Sequence, residues 1–239
     1  MVSLRIVSAG DSAVTAEFDE RIDSGVNAHV IAVAEAAEAA AMAGVRDIVP
    51  AYRSLTVYFD PVKTSIEAVS KELERAARKT ETRPEGPLHI LRIPICYGGA
   101  FGPDLGDVAS FAGIDESEVI ALHSTALYRV FMLGFVPGFA YLASVDSRIA
   151  VPRRGTPRVR VPAGSLGIAG VQTGIYPLDT PGGWQIVGRT SVRPFDPTRR
   201  EPFLFKPGDA VQFYPIEPSD FERAEKSRMT QTAPASTID

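Results

Sequence analysis

Glycine and proline are concentrated in one part of the chain, and this feature most limits the folds available to it. Between residues 131 and 218 lie twelve of the nineteen prolines and eleven of the twenty glycines. Both residue types interrupt helices, whereas turns between short strands need them. The apolar or β-branched segments between the turns cover residues 127–133, 158–161, 184–188 and 210–214. The pattern predicts a barrel or sandwich of many short strands.

The first eighty residues differ, because strand and helix signals alternate there. The predicted strands cover residues 4–7, 13–18 and 54–59. A helix is predicted over residues 24–43, which are rich in alanine, the best helix former. Its N-cap is Asp23 or Ser24, and Gly44 follows its end. This alternation predicts a small α/β sandwich.

A second helix is predicted to open with a capping box formed by Thr64 and Glu67. Residues 81–87, which are polar and contain two prolines, are predicted to be a linker. A strand over 88–95 and short helices opening at Asp104 and Asp115 follow it. The predicted fold class is therefore α+β. The domains are 1–80 and 88–218, and 219–239 is a tail that is expected to be disordered at its end.

The composition argues against several classes of protein. A net charge of −4 does not favour general binding to nucleic acid or to an anionic membrane. A single cysteine, Cys96, cannot form an internal disulfide and is typical of a reducing compartment. The first residues show no secretory signal, and the uncharged runs are too short or too rich in glycine and proline to span a bilayer. A soluble, cytoplasmic protein is expected.

Most standard catalytic motifs are absent. The three histidines and the cysteine are not spaced as metal ligands, so no metal site is predicted. Neither a Walker A sequence nor a Gly-x-Gly-x-x-Gly loop after a strand occurs. ATP, if the protein uses it, is therefore not held by either of these loops. Asp104 and His123 are the one plausible acid–base pair, although Asp104 as a helix cap needs no catalytic explanation and a lone histidine near a helix end is more often structural.

Candidate binding residues lie in the second half of the chain. Five arginines occur within thirteen residues that contain no acid: Arg148, Arg153, Arg154, Arg158 and Arg160. Such a patch suits a carboxylate or a phosphate, but it is also compatible with a solvated strand face. Gln172, Thr173, Tyr176 and Gln185 place polar groups on rigid turns, as a small-molecule pocket requires. Trp184 belongs either to this pocket or to the barrel core.

Four glycines at positions 164, 167, 170 and 174 allow two interpretations. They permit tight turns and close backbone approach, or they free backbone N–H groups to hold an anion.

Many of these segments together resemble one protein family. The motifs are Tyr97-Gly98-Gly99, Gly102-Pro103-Asp104-Leu105, Leu122-His123-Ser124, residues 131–139, Pro152-Arg153-Arg154, Pro157-Arg158, residues 161–170, 172–177 and 180–184, and Pro207-Gly208-Asp209. In this order they resemble the family of 5-oxoprolinase B subunits, which includes the kinase inhibitor KipI and proteins like the first subunit of allophanate hydrolase. The resemblance covers residues 3–217. One departure is Ala140, where the family pattern has proline.

The resemblance implies a C-terminal cyclophilin-like β-barrel and a role in a heteromeric hydrolase. With C-like and A-like partner subunits, the protein would open 5-oxo-L-proline to L-glutamate at the expense of ATP, and it would be inactive alone. Arg153, Arg154 and Arg158 would then bind phosphate or the substrate carboxylate, and His123 or Asp104 would move a proton. The alternatives are a KipI-like inhibitor of a sensor histidine kinase and a component of a related allophanate- or urea-type amide hydrolase.

Overall fold

The computed structural model describes residues 4–20, 23–80 and 90–232 and divides the chain into two compact units. The first unit consists mainly of the residues up to 80 and the second mainly of those from 90 onwards. The linker predicted over 81–87 and the last residues of the predicted tail, 233–239, lie outside the described residues.

The first unit contains a four-stranded antiparallel sheet and two helices. The strands are β1 (Arg5–Ser8), β2 (Ala13–Glu17), β3 (Val45–Pro50) and β4 (Ser54–Phe59), in the order β1-β2-β4-β3. The helices are α1 (Ser24–Ala39) and α2 (Ile66–Lys79). Alternate strand residues such as Val14, Leu55 and Phe59 form one buried core with Val30 of α1 and Leu73 of α2. A sheet that buries one face against helices confirms the predicted α/β sandwich.

Both helices of this unit have ends that differ from the prediction. Helix α1 ends at Ala39, and Ala41 then adopts a left-handed conformation with φ of 46°. The alanine run therefore does not continue as helix to residue 43, and Gly44 lies in the following turn. The N-cap of α2 is Ser65, whose hydroxyl accepts a hydrogen bond from the Ala68 N–H. The N-cap is therefore one residue later than predicted, and the capping box of Thr64 with Glu67 does not form, because Ala68 occupies the third helical position.

The second unit contains a closed seven-stranded barrel. Its strands are β5 (Ile90–Tyr97), β6 (Leu127–Leu133), β7 (Ala140–Ala143), β9 (Ser165–Ala169), β10 (Gln172–Ile175), β12 (Gln185–Arg189) and β13 (Ala210–Pro215). They close in the order β10-β7-β6-β13-β5-β12-β9. Strands β8 (Arg158–Val161) and β11 (Thr180–Gly182) form a separate antiparallel pair. The barrel confirms the predicted α+β fold class.

Two features of the strand pairing position the site. β5 and β13 are parallel, with Ile90 opposite Ala210, while β12 runs antiparallel to both β5 and β9. Strand β12 is irregular between Ile186 and Gly188 in its pairing with β9. A bulge of this kind redirects side chains at the rim of a barrel.

Three helices complete the second unit: α3 (Leu105–Ala112), α4 (Glu116–Thr125) and α5 (Pro218–Thr232). Gly113 ends α3 in a left-handed conformation, as its sequence position predicts. Helix α5 occupies positions that the sequence assigned to the tail, and its Phe221 is buried against the ring of Phe101. No helix in the described part of the chain has the length and hydropathy needed to cross a bilayer.

Candidate functional site

Asp104, directly before α3, joins the helix to strand β12 of the barrel. Its backbone N–H donates to the Ile186 carbonyl at 2.9 Å, and its Oδ2 accepts from the Ile186 N–H at 2.6 Å. The side chain makes no capping bond to α3. Asp104 therefore occupies the predicted N-cap position of α3, but its carboxylate bonds to β12 instead of capping the helix.

The second oxygen of Asp104 binds two arginines of the predicted patch. Oδ1 accepts from Arg154 Nη1 at 3.1 Å and from Arg158 Nη2 at 2.6 Å. The Asp104 side chain is 3% exposed, while those of Arg154 and Arg158 are 33% and 26% exposed. One carboxylate faces two guanidinium groups, so this Asp104–arginine cluster keeps a net positive charge. Such a charge, partly shielded from water, favours an anionic ligand.

The other three arginines of the patch differ in their surroundings. Arg148 pairs with the half-buried Asp146 and with the exposed Glu118, and Arg160 pairs with Asp179 at an exposed position. Their charges are thus neutralised. Arg153 is exposed, and its charge acts on two tyrosines close to the cluster. Burial raises the pKa of both Tyr141 and Tyr176, and the positive charge of Arg153 opposes this shift.

An aromatic group lies beside the arginines. Phe139, Tyr141, Tyr176 and Trp184 pack edge to face, with the Phe139 ring 5.2 Å from Tyr176 and 5.3 Å from Trp184. The charge of Arg158 also lowers the pKa of Tyr176, although burial raises it more strongly. Trp184 is 4% exposed, so it belongs to the core of the second unit as well as to the wall of the site.

Gln185 lies on the same side of the barrel as the arginine segment. Its Nε2 donates to the Pro152 carbonyl at 3.3 Å, and the Arg154 N–H donates to the Gly183 carbonyl at 2.8 Å. These two bonds hold residues 152–154 against residues 183–185. The structure therefore brings Asp104, Arg154, Arg158, Tyr176 and Gln185 together, with Arg153 at the exposed edge.

His123 lies elsewhere, in the interior of the second unit. Its Nδ1 is 2.8 Å from the Tyr97 hydroxyl and its Nε2 is 2.9 Å from Thr173 Oγ1. The Thr173 hydroxyl donates to the Gly167 carbonyl, so it accepts from an Nε2–H, and Nδ1 accepts from Tyr97. His123 is fully buried and stacks on Phe213. Burial lowers its pKa to about 3, so the ring is neutral.

Two further predicted residues are separate from the arginines. Thr173 is completely buried and is occupied by His123 and Gly167. Gln172 lies on β10, where it is opposite Ala143 of β7 and Ala169 of β9. A cleft of about 440 Å³ opens between residues 163–164, 177–178, 189–193, 195–197 and Glu225. None of the predicted site residues lines this cleft.

The glycines at positions 164, 167, 170 and 174 lie in turns and at close contacts between neighbouring segments of backbone. The N–H of Gly164 donates to the Tyr176 carbonyl and that of Gly170 to the Val151 carbonyl, so neither is free for an anion. At Gly164, where φ is +83°, a Cβ atom would lie 2.2 Å from the Thr190 carbonyl oxygen. At Gly174 it would lie 2.7 Å from the Ala140 carbonyl oxygen. The geometry favours the turn and close-approach interpretation.

Metal binding has no visible basis in residues 4–20, 23–80 and 90–232. No three histidine, cysteine or acidic side chains are grouped there so as to hold an ion.

Comparison with known proteins identifies close relatives. Residues 4–205 match the family model described as carboxyltransferase domain, subdomain C and D. The B subunit of 5-oxoprolinase from Bacillus subtilis (strain 168) is 40% identical over 230 residues, which cover 92% of this chain and 96% of that protein. The protein of the same name from Escherichia coli O157:H7 is 41% identical, with coverages of 90% and 97%. The crystal structure of TTHA0988 is 40% identical with a TM-score of 0.77, and the match covers 87% of this chain and 41% of that one.

Proposed function

Since the chain belongs to the family of 5-oxoprolinase B subunits, within the carboxyltransferase subdomain C and D group, we propose that it is the B subunit of an ATP-dependent 5-oxoprolinase. The observation that carries this proposal is the identity of about 40% to two such B subunits over nearly the whole length of both chains. The complex would convert 5-oxo-L-proline to L-glutamate with hydrolysis of ATP.

The chemistry explains why such an enzyme couples the reaction to ATP. A five-membered lactam is a stabilised amide that water opens slowly. Transfer of the γ-phosphoryl group of ATP to the amide oxygen would give ADP and a phosphorylated imidate. Attack of water on its ring carbon, followed by cleavage of the carbon–nitrogen bond, would give γ-glutamyl phosphate. A second water would then hydrolyse this acyl phosphate to glutamate and inorganic phosphate. The substrate carboxylate and the phosphoryl group are both anions that need positively charged partners.

The Asp104–arginine cluster supplies these partners in our proposal. Arg154 and Arg158 share a single carboxylate oxygen and retain net positive charge, and Arg153 lies at the exposed edge. Asp104 acts as a positioning residue, because both of its oxygens are engaged by protein donors. His123 does not fit a proton-transfer role, because both of its ring nitrogens are already hydrogen-bonded to protein groups.

We further propose that the chain works only with C-like and A-like partner subunits. The described residues contain charged and aromatic groups for binding, but His123 is buried and Asp104 is fully engaged. The remaining catalytic groups would therefore come from other chains.

Coexpression with the C-like and A-like subunits tests the proposal. The purified complex should release phosphate and glutamate only when both ATP and 5-oxo-L-proline are present, and the isolated chain should not. Arg154→Ala and Arg158→Ala should lower turnover at least tenfold, since a hydrogen bond to a charged group contributes about 1.5–3 kcal/mol. Arg160→Ala is the matched control, because Arg160 already pairs with Asp179 at the surface.

A verified complex that hydrolyses a urea-type amide but leaves 5-oxo-L-proline unchanged would refute the proposed substrate. Inhibition of a sensor histidine kinase by the isolated chain, without any amide turnover from the complex, would refute the enzymatic role altogether.

A further inference from the structure

Four buried polar atoms around the Asp104–arginine cluster lack hydrogen-bond partners within the described part of the chain. They are Arg154 Nε, Arg158 Nη1, Gln185 Oε1 and Thr180 Oγ1. A buried donor or acceptor without a partner costs free energy, and native proteins contain few of them. Their concentration in the segments 154–158 and 180–185 fits a site in which a polar ligand completes these bonds.

The chemical types of these atoms define the ligand. Arg154 Nε and Arg158 Nη1 are donors that belong to positively charged groups, so they favour an anionic acceptor. The assignment of the Gln185 amide follows from its other bond: Nε2 donates to the Pro152 carbonyl, so the unpaired atom is the oxygen. That oxygen requires an N–H or O–H donor. The Thr180 hydroxyl can either donate or accept a hydrogen bond, so it does not define the type of ligand group that it meets.

The segments that carry the unpaired arginine donors and the Gln185 side chain lie close together in the structure. Gln185 immediately precedes Ile186, whose N–H binds the same Asp104 carboxylate as the two arginines. Its amide also contacts Pro152, two residues before Arg154. An anion on the arginines and a donor on Gln185 can therefore belong to neighbouring groups of one small molecule.

We propose that Gln185 accepts a hydrogen bond from the ring N–H of a cyclic N-acyl amino acid, whose α-carboxylate is bound by Arg154 and Arg158. This inference rests on the proposed function and makes Gln185 a specificity-determining residue of the same site. In 5-oxo-L-proline the ring N–H and the carboxylate are attached to one carbon atom, so they match neighbouring acceptor and donors. A lactone with oxygen in place of the N–H would leave Gln185 Oε1 unpaired.

Equilibrium binding to the coexpressed complex, with a non-hydrolysable ATP analogue present, tests the inference. The two ligands are 5-oxo-L-proline and the lactone acid in which ring oxygen replaces the N–H. The wild-type complex should bind the lactam about tenfold more tightly than the lactone, as expected for one hydrogen bond to a buried acceptor. Gln185→Leu should reduce this ratio to about one, mainly by weakening lactam binding.

Two further variants separate the roles of the residues. Arg158→Met should weaken binding of both ligands at least tenfold and leave their ratio unchanged, because both carry the carboxylate. Arg160→Met, two positions along the same strand and paired with Asp179, should change neither affinity. Gln185→Met serves as a second substitution if Gln185→Leu does not assemble.

The ratio of lactam to lactone affinity tests the role of Gln185 without a measurement of turnover. A ratio that stays near ten in the Gln185 variants would overturn the inference, as would the failure of the wild-type complex to bind either ligand. Selective binding that depends on Gln185 but without ATP-dependent ring opening would support the inference and contradict the proposed function. ATP-dependent ring opening, together with a lactam-to-lactone affinity ratio that the Gln185 variants leave unchanged, would support the proposed function and contradict the inference.

Discussion

Replacing Asp104 with asparagine should destabilise the second unit far more than the same change at Asp179. Both carboxylates accept hydrogen bonds from a guanidinium group and a backbone N–H. They differ in exposure, since the Asp104 side chain is 3% exposed and that of Asp179 is 42% exposed. The two residues therefore differ in burial and in one additional guanidinium partner at Asp104, and both differences make the change at Asp104 more costly.

The magnitude follows from the bonds that asparagine cannot make. If its oxygen stays with Arg154 and Arg158, its NH₂ group faces the Ile186 N–H, and a buried donor is left unpaired at a cost of about 1–3 kcal/mol. Removing one partner of a buried ion pair costs about 3–5 kcal/mol, and the partial exposure of the arginines reduces this. We expect a total loss of about 3 kcal/mol for Asp104→Asn and about 1 kcal/mol or less for Asp179→Asn.

Urea unfolding followed by the fluorescence of Trp184 measures both values. Trp184 is the single tryptophan of the chain and packs in the core of the second unit, so its signal reports that unit alone. The free energy of unfolding is obtained from the midpoint at constant slope. Equal losses in the two variants would refute the view that Asp104 is a buried anchor of the arginines. A double-mutant cycle with Arg158→Met should show coupling above about 1 kcal/mol.

Three other perturbations have defined outcomes. Burial lowers the pKa of His123 in the folded protein to about 3. The contribution of His123 to the free energy of unfolding should therefore be complete above about pH 6.5 and fall by about 1.4 kcal/mol per pH unit toward pH 3. In urea titrations at several pH values, His123→Gln should lack this pH-dependent loss of stability. Tyr97→Phe should cost about 1–2 kcal/mol in the same assay, since it leaves His123 Nδ1 unpaired, and an unchanged midpoint would contradict the hydrogen bond. Gly102→Ala should destabilise the protein by more than about 3 kcal/mol, because its Cβ would lie 2.1 Å from the Val187 carbonyl oxygen. Gly155→Ala, which has open space around it, should change the stability by no more than about 0.5 kcal/mol. Similar thermal midpoints for the two alanine variants would disprove the close contact at Gly102.

Local patterns in the sequence were sufficient for much of the fold. The strands over 54–59, 127–133 and 158–161 have the predicted bounds, because apolar and β-branched residues there are flanked by clear turn residues. Strands β9 and β10 were missed, since their glycines remove the alternation of side chains that marks a strand. Those glycines admit neighbouring backbone atoms, which is a property of the barrel and not of the segment.

The candidate site was predictable in its residue types but not in its pairing. The arginine patch was recognisable because no acid occurs among its thirteen residues. Yet Asp146, Glu118 and Asp179, all outside that window, neutralise Arg148 and Arg160. The carboxylate that organises Arg154 and Arg158 comes from a residue fifty positions earlier in the chain. Contacts of such separation depend on the closure of the barrel, which no local pattern encodes.

The parallel pairing of β5 with β13 also determines the order in which the barrel can be completed during synthesis. β5 is the first strand of the barrel to leave the ribosome, but Tyr97 pairs with Gly188 and Ile90 with Ala210, both made much later. Both edges of β5 are unpaired until β12 is made, and the edge that pairs with β13 stays open to other chains until residue 215. Nascent or truncated chains that end before residue 215 should therefore aggregate through β5, and the last strand acts as the closure that protects the first.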